Sequence, residues 1–482
     1  MESQLLGDFS YADFKQARLE RWNKLAGNPD KQRGWGGYYH RRLIDIYKFS
    51  VKPGQRLLEI GCGRGDLLSA LKPSVGVGVD FSAEMIRQAR QRHPELQFIE
   101  ADAGDLGLEA RFDVIILSDL VNDLWDVQDV FKQLSAVVAP HTRIICNYFS
   151  NVWMKPLQLA QSLGLAQPLL TQNWLTKQDL ANLLYLTDFE IIRSWPEILC
   201  PLPVPLLKGF ANRFLVKFWP FDTLALTNFI IARPQPRNLA QASQPSVAVI
   251  IPVRNEAGNI ASIFERMPRL GKEAELIFVE GHSDDGSFEV IRKCIAEHPG
   301  LKCKALQQAG SGKGDAVRLG FANTSADILM ILDADLTVAP EDLGRFYECL
   351  CSGKADFVNG VRLVYPRQQK AMRFLNLLAN KFFSLVFSWL IGQPIKDTLC
   401  GTKALWRKDY LKISENRGYF GDFDPFGDYD LIFGAANLNL KIADMPVRYH
   451  ERQYGKTNIR RWSHGWMLLR MVFFAARKIK FV

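Results

Sequence analysis

At 482 residues the chain has room for two or three domains, and with 48% hydrophobic and 23% charged residues it is folded globular matter, not disorder. Its 8 cysteines are scattered, with no pair of Cys-x-x-Cys motifs, so neither zinc nor a disulfide framework is indicated and a reducing cytoplasm fits best. A net charge of +9 points to an anionic partner: nucleic acid, a nucleotide or a membrane surface.

The opening, Met1-Glu-Ser-Gln-Leu-Leu-Gly-Asp8, has no basic n-region or apolar core, so no signal peptide is expected. Residues 1–50 read as a helical lead-in containing an aromatic cluster, Trp35-Gly-Gly-Tyr-Tyr-His40. Arg56-Leu-Leu-Glu-Ile60 reads as a buried strand that runs into Gly61-Cys-Gly-Arg-Gly65 and a helix from Asp66. A glycine-rich turn between a strand and a helix N-terminus lets ligand atoms approach the backbone closely. The spacing Glu59-x-Gly61-x-Gly63-x-Gly65 departs from the dinucleotide fingerprint, whose third glycine would fall where Asp66 stands. Strands expected at 75–79, 96–100 and 112–117 lead into Asp80, Asp102-Ala103 and Ser118-Asp119. Acids at successive strand ends of an open α/β sheet line one crevice; the alternative for each is a helix cap.

These residues resemble a class I S-adenosylmethionine-dependent methyltransferase over roughly 35–150. The resemblance implies a seven-stranded Rossmann-like sheet, a helical insert at about 151–186, and closing strands at 187–192 and 225–232. It also implies that Glu59, Gly61, Gly63 and Gly65 hold the methionine part of S-adenosylmethionine, Asp80 its ribose, and Asp102 and Ala103 its adenine, with Ser118 at the edge of the site. Asp119, His40 and His141 are the candidates for a base. After the fourth strand the chain reads Ser118-Asp-Leu-Val121, not the Asn-Pro-Pro-aromatic motif of nucleobase amino methyltransferases, so no nucleic-acid partner is expected.

Residues 233–246 hold three prolines and no apolar period, and read as a linker between a first unit, 1–232, and a second, 247–482. Val247-Ala-Val-Ile-Ile-Pro252 reads as a buried strand stopped by proline, followed by Val253-Arg-Asn-Glu256. A strand at 276–279 leads to Glu280-Gly-His-Ser-Asp-Asp-Gly286, a loop at Ala309-Gly-Ser-Gly-Lys-Gly-Asp-Ala316 opens a helix, and 328–332 delivers Asp333-Ala-Asp335. Two carboxylates one residue apart suit one hard cation, Mg²⁺ or Mn²⁺, shared with substrate phosphates.

This set resembles the inverting family 2 glycosyltransferases, and most of all the dolichyl-phosphate mannose and glucose synthases, over about 247–460. The resemblance implies a GT-A nucleotide-sugar fold, with Pro252, Arg254, Asn255, Glu256 and Glu280 at the nucleotide and Lys313 near the sugar. Asp333 and Asp335 would be metal ligands, Asp335 catalytic as well. Gly281 replaces the usual second acid, leaving UDP and GDP both open. Asp397-Thr-Leu-Cys-Gly-Thr-Lys403 looks like the acceptor loop, and Phe426-Gly-Asp-Tyr-Asp-Leu431 the late acidic motif. Asp397 and Asp428 are thus candidate catalytic groups, and Arg448, Arg452 and Lys456 candidate anion binders; turn or cap roles are the alternative for Asp397 and Asp428. A hydroxyl acceptor calls for a base, best Asp428; a lipid phosphate calls for none.

No apolar run reaches the ~18–20 residues that span a bilayer. Residues 370–391, and 462–474 within a basic segment at 460–482, have instead the aromatic, apolar and basic mix of an interfacial surface. The expectation is a bifunctional transferase at the inner face of the cell membrane, acting on a polyprenyl phosphate or lipid-linked glycan. A glycosyltransferase with a non-catalytic methyltransferase-like domain, or a nucleic-acid methyltransferase, are the competing readings.

Overall fold

Largely apolar runs become the central strands of two separate sheets. The computed structural model describes residues 10–27, 35–163, 170–202, 204–236, 244–365, 374–416, 427–452, 454–455 and 461–481. They divide into two units at 235/236, each with its own seven-stranded mixed sheet in an α/β arrangement.

The first sheet contains β1 (Arg56–Ile60), β2 (Val75–Asp80), β3 (Gln97–Glu100), β4 (Phe112–Ser118), β5 (Val138–Phe149), β6 (Phe189–Glu197) and β7 (Thr227–Pro234), ordered β3-β2-β1-β4-β5-β7-β6. The first five are parallel, and β7 runs antiparallel to both its neighbours. Side chains alternate across the pleat: Leu58, Ile60, Ile115 and Leu117 bury on one face, Leu57, Val114 and Ile116 on the other. Both faces are therefore covered, as a parallel sheet requires. The expected insert contains helices Met154–Ser162 and Lys177–Leu186.

The second sheet contains β8 (Val247–Val253), β9 (Ala274–Glu280), β10 (Lys302–Gln307), β11 (Ile328–Ile331), β12 (Phe357–Val361), β13 (Lys403–Trp406) and β14 (Ile442–Pro446), ordered β10-β9-β8-β11-β13-β12-β14. β13 runs antiparallel to β11 and β12.

Two prolines lie inside strands that they were expected to bound. Pro252 sits within β8, where its missing N–H faces the β11 side; pairing with β11 ends at Ile250, which accepts from Leu332 N at 3.0 Å. Arg233 and Pro234 belong to β7, not to the linker: β5 pairs no further than Ala232, and the buried Arg233 guanidinium holds Glu190 at 2.7 Å.

Candidate active sites

In the first unit β1, β2, β3 and β4 end on one edge of the sheet. Gly61, Gly63 and Gly65 all have positive φ (73°, 51° and 76°), and a Cβ added at Gly63 would meet nothing within 4 Å, so the loop backs an open space. Gly63 N and Ser82 N each donate to the Asp80 carboxylate at 2.9 Å. Glu59 is buried, and its Oε2 has no protein partner. Burial pushes the Glu59 carboxyl well above its ordinary range, with the Asp80 charge adding to the rise. Burial also raises Asp80, against the pull of backbone N–H groups.

Asp102, after β3, accepts from Tyr11 Oη at 2.7 Å, Lys15 Nζ at 2.8 Å and Gly104 N at 3.0 Å. Tyr11 and Lys15 stand on the lead-in helix Tyr11–Ala26, whose end is tied down by Gln88 Nε2 donating to Ala26 O at 2.8 Å. Ala103 and Ser118 are half-buried at their strand ends. Asp119 holds a left-handed backbone, φ 53°, and accepts from Tyr39 Oη at 2.7 Å and Asn147 Nδ2 at 2.5 Å. Burial raises its carboxyl, while Tyr39 and the charge of His40 pull it back. His141 instead pairs with Asp113, 3.1 Å away at the opposite end of β4, so it lies away from this edge.

In the second unit the same edge carries Arg254 to Glu256 after β8, Glu280 at the end of β9, and Asp333 and Asp335 after β11. Pro252 is half-buried and Arg254 exposed. Asp333 Oδ1 lies 2.5 Å from Lys313 Nζ, at the start of helix Lys313–Ala322. Burial opposes ionisation of Asp333, but Lys313, with Lys403 and Arg362 farther off, holds the carboxyl below its usual range. Asp335 Oδ2 lies 2.7 Å from Arg452 Nη2, and Arg452 Nη1 lies 2.7 Å from Glu256 Oε1. Burial raises Glu256 to about 7 in spite of Arg452.

Behind these groups the buried Lys403 Nζ lies 3.2 Å from Asp428 Oδ1, in the first turn of helix Asp428–Asn437. A Cβ added at Gly401 would lie 1.9 Å from Lys313 Nζ and 2.2 Å from Asp333 Oδ2, so the loop before β13 packs directly on that ion pair and a side chain there would push the pair aside. Asp397 departs from its expected catalytic role. It is fully buried, and five donors fill its carboxylate: Arg362 N, Nε and Nη2, Asn380 Nδ2 and Leu399 N. No lone pair facing a substrate is left to take a proton, and its place is that of an anchor. Arg448 is exposed, its guanidinium 5.4 Å from the Tyr365 ring. Lys456 lies outside the described residues.

The buried Glu280 accepts from Ser283 N at 2.5 Å and Gln307 Nε2 at 3.3 Å. A Cβ at Gly281 would lie 2.7 Å from Gln308 Nε2, so the missing second acid makes room for an amide. Gln308 is buried, and its Oε1 has no protein partner. Sequence reasoning missed Gln308 and Arg362, which belong to no motif, and gave no role to Lys403 at the end of the acceptor loop; only the fold brings them to the acids.

Residues 57–141 match the methyltransferase domain model, and residues 248–413 match the model for glycosyl transferase family 2. The chain joins a methyltransferase domain to a family 2 glycosyltransferase domain. The glycosyltransferase domain is 29% identical to "Glycosyltransferase AglJ" of Haloferax volcanii over 216 residues, 44% of this chain and 66% of that protein. It is 27% identical to the "Dolichyl-phosphate hexose transferase" of the same organism over 223 residues, 45% of this chain and 89% of that one. The match thus stops just short of two thirds of the first relative's length. Among solved structures, magnesium protoporphyrin IX methyltransferase from Synechocystis PCC 6803 overlays at a TM-score of 0.32 and 17% identity, covering 46% of this chain and 96% of that one.

Gly401→Ala should displace Lys313 and Asp333 and lower glycosyl transfer about 100-fold, since an ångström of misplacement in an active site costs that much; steady-state rates with unchanged circular dichroism check it. Glu256 gives a pH signature. Its folded value of about 7 exceeds the ordinary 4.5, so folding takes up a proton between them and stability falls as pH rises through that window. In metal-free buffer the melting temperature of wild type relative to Glu256→Gln should decline between those two pH values; parallel curves would remove the assignment.

Proposed function

We propose that the first unit transfers methyl groups from S-adenosylmethionine and that the second transfers a sugar, with inversion, from a nucleotide diphosphate sugar to a polyprenyl phosphate or lipid-linked glycan. The observation that carries the second half is the stacking of Gly401 on the Lys313–Asp333 pair, beside Asp335, in a segment matching glycosyl transferase family 2. The relatives, one of them named a dolichyl-phosphate hexose transferase, support a lipid-phosphate acceptor.

For the first crevice, the fit of S-adenosylmethionine rests on the unpartnered Glu59 Oε2 and the open space over Gly63. The bound donor supplies a methyl group on a positively charged sulfur. Glu59, with Gly61, Gly63 and Gly65, would border its methionine part, Asp80 would hold its ribose, Asp102 and Ala103 would flank its adenine, and Ser118 would border the site. Alignment does most of the catalysis. Asp119, held by Tyr39, takes the acceptor's proton where that acceptor is a hydroxyl.

For the second crevice, two carboxylates plus substrate phosphates form an oxygen donor set that suits Mg²⁺ or Mn²⁺. Asp335 would hold the ion, with Asp333 steadied by Lys313. Such an ion neutralises charge on a departing diphosphate. Pro252, Arg254 and Glu256 border the nucleotide, and Glu280 and Gln308 read its base. Arg448 and Lys456 serve the acceptor phosphate. Asp428 is the base for a hydroxyl acceptor, and Asp397 positions the loop that carries Gly401. Membrane contact comes from two helices: Phe374–Ile391 exposes Leu378, Phe382 and Leu385 on one stripe, and Arg461–Ala475 exposes Trp466, Leu469 and Phe473. Among the described residues no helix is long and apolar enough to cross a membrane.

Calorimetry with S-adenosylhomocysteine should show binding that Asp80→Ala weakens at least about 10-fold; no binding by wild type retires the first half. Labelled nucleotide sugars with polyprenyl phosphate should give divalent-ion-dependent transfer that Asp335→Asn abolishes; full activity of that variant with chelator present retires the ion. Loss of one amide hydrogen bond in Gln308→Ala should weaken the preferred nucleoside diphosphate by about 3- to 10-fold, narrowing the gap between UDP and GDP measured by calorimetry.

A further inference from the structure

The connection from β6 to β7, residues 198–226, is absorbed by neither reaction. It carries helix Leu207–Arg213 and short 3₁₀ turns at Leu215–Lys217 and Phe221–Leu224. Ile198, Val216 and Leu226 anchor it in the core, but many of its large apolar side chains point outward: Leu206 keeps 92% of its surface and Trp219 79%, with Leu207, Phe210, Phe218 and Leu224 also exposed. A burial-driven segment would not leave so many in water without an occupant. Leu206 is further held at φ 63°, which turns its side chain out at the tip of the loop.

Topology fixes where this surface lies. β7 runs antiparallel to β5, so Thr227 stands beside Phe149 at the C-terminal end of β5, the edge that carries Asp119. Side-chain bonds tighten the link: Asn212 Nδ2 donates to Tyr38 Oη at 3.0 Å, next to the Tyr39 that binds Asp119, and Trp153 Nε1 donates to Leu224 O at 2.9 Å. The patch therefore borders the acceptor side of the methyltransferase crevice.

We propose that residues 198–226 are a docking surface for an anionic bilayer, which holds the methyltransferase crevice at the lipid surface beside an acceptor carried on lipid. Charge and shape select this occupant. The stretch carries the half-exposed Lys208 and the exposed Arg213 against one acid, Asp222; its third cation, Lys217, is buried against Glu197. Lys208 lies 4.9 Å from the Tyr38 ring and Arg213 5.8 Å from the Phe214 ring, cations at the rim of an apolar surface. The apolar groups stand on separate turns as protruding tips, which suits insertion among acyl chains better than a flat protein face. Docking stands on exposure and charge alone. The lipid-borne methyl acceptor rests in addition on the methyltransferase reading above.

The test uses the full chain and extruded vesicles of phosphatidylcholine, alone or with about 30 mol% phosphatidylglycerol. Wild type should co-sediment with the anionic vesicles, and hydrogen exchange over 204–224 should slow on binding. Leu206→Glu/Trp219→Glu should partition at least about 10-fold less, since two large apolar groups no longer leave water. It should bind S-adenosylhomocysteine as wild type does, which separates a docking failure from a failure of the methyltransferase reading. Leu385→Glu/Phe473→Glu, in the second unit, should leave the slowed exchange of 204–224 intact. Three results overturn the proposal: equal partition of wild type and the first double variant, unchanged exchange on vesicles, or lipid-free self-association of wild type that this variant abolishes. The last would assign the patch to a second copy of the chain.

Discussion

A carboxylate taken out of water must find a cation or surrender its charge, and the acid-rich edge of the second unit is arranged around that constraint. Arg362 pairs with Asp397, Lys313 with Asp333, Lys403 with Asp428, and Arg452 with both Asp335 and Glu256. The deepest pair does the positioning. Arg362 follows β12, Asp397 precedes β13, and Asn359 Nδ2 on β12 donates to both Asp397 O and Asp444 Oδ1. The loop before the antiparallel strand is thereby pinned at its start, and Gly401 comes down on Lys313 and Asp333. Leaving either member of such a buried pair alone costs about 3–5 kcal/mol, so the geometry of the edge and the stability of the unit are the same property.

The first unit handles the same problem in the opposite way. Among the described residues no cation lies within ion-pair distance of Glu59 or Asp80. Backbone N–H groups from Gly63 and Ser82 satisfy part of Asp80, and one oxygen of Glu59 is left without a partner. Both carboxyls are pushed up by burial, which is the cost of acids waiting for a positive ligand. A crevice whose two innermost acids, Glu59 and Asp80, are unmatched complements a sulfonium and an ammonium. A crevice of matched acid–cation pairs, with arginines at its rim, complements a diphosphate. The two sites would therefore discriminate between their donors by charge before any shape is read.

What the residue order made legible follows from this logic. Central strands were readable because β1, β4, β8 and β11 are largely apolar runs, and the glycine after β1 and the acids after β4 and β11 were readable with them. Their pairing with cations was not: Arg362 stands in no motif, and Lys403 and Arg452, though read in the acceptor loop and the basic segment, meet Asp428 and the pair Asp335–Glu256 only through the fold. Gln308 was hidden for the same reason: Gly281 reads as a loss until the fold shows an amide in the space it leaves. Pro252 and Pro234 were read as strand ends, yet a proline is tolerated wherever the neighbouring strand has already stopped. The stretch from 198 to 226 had no period to read, because its apolar residues face outward from short turns.

That outward face gives the two-domain arrangement a physical rationale. The tether between the units is short, and joining two binding modules raises the effective concentration of one at the other's substrate only where both can engage. A lipid surface relaxes that requirement. Each unit exposes apolar and aromatic side chains of its own, so each can meet the bilayer independently, and an acceptor confined to that plane is searched for in two dimensions. The linker then has to keep the units on one membrane, not to aim one crevice at the other. A proline-bearing run with no apolar period in its sequence is sufficient for that.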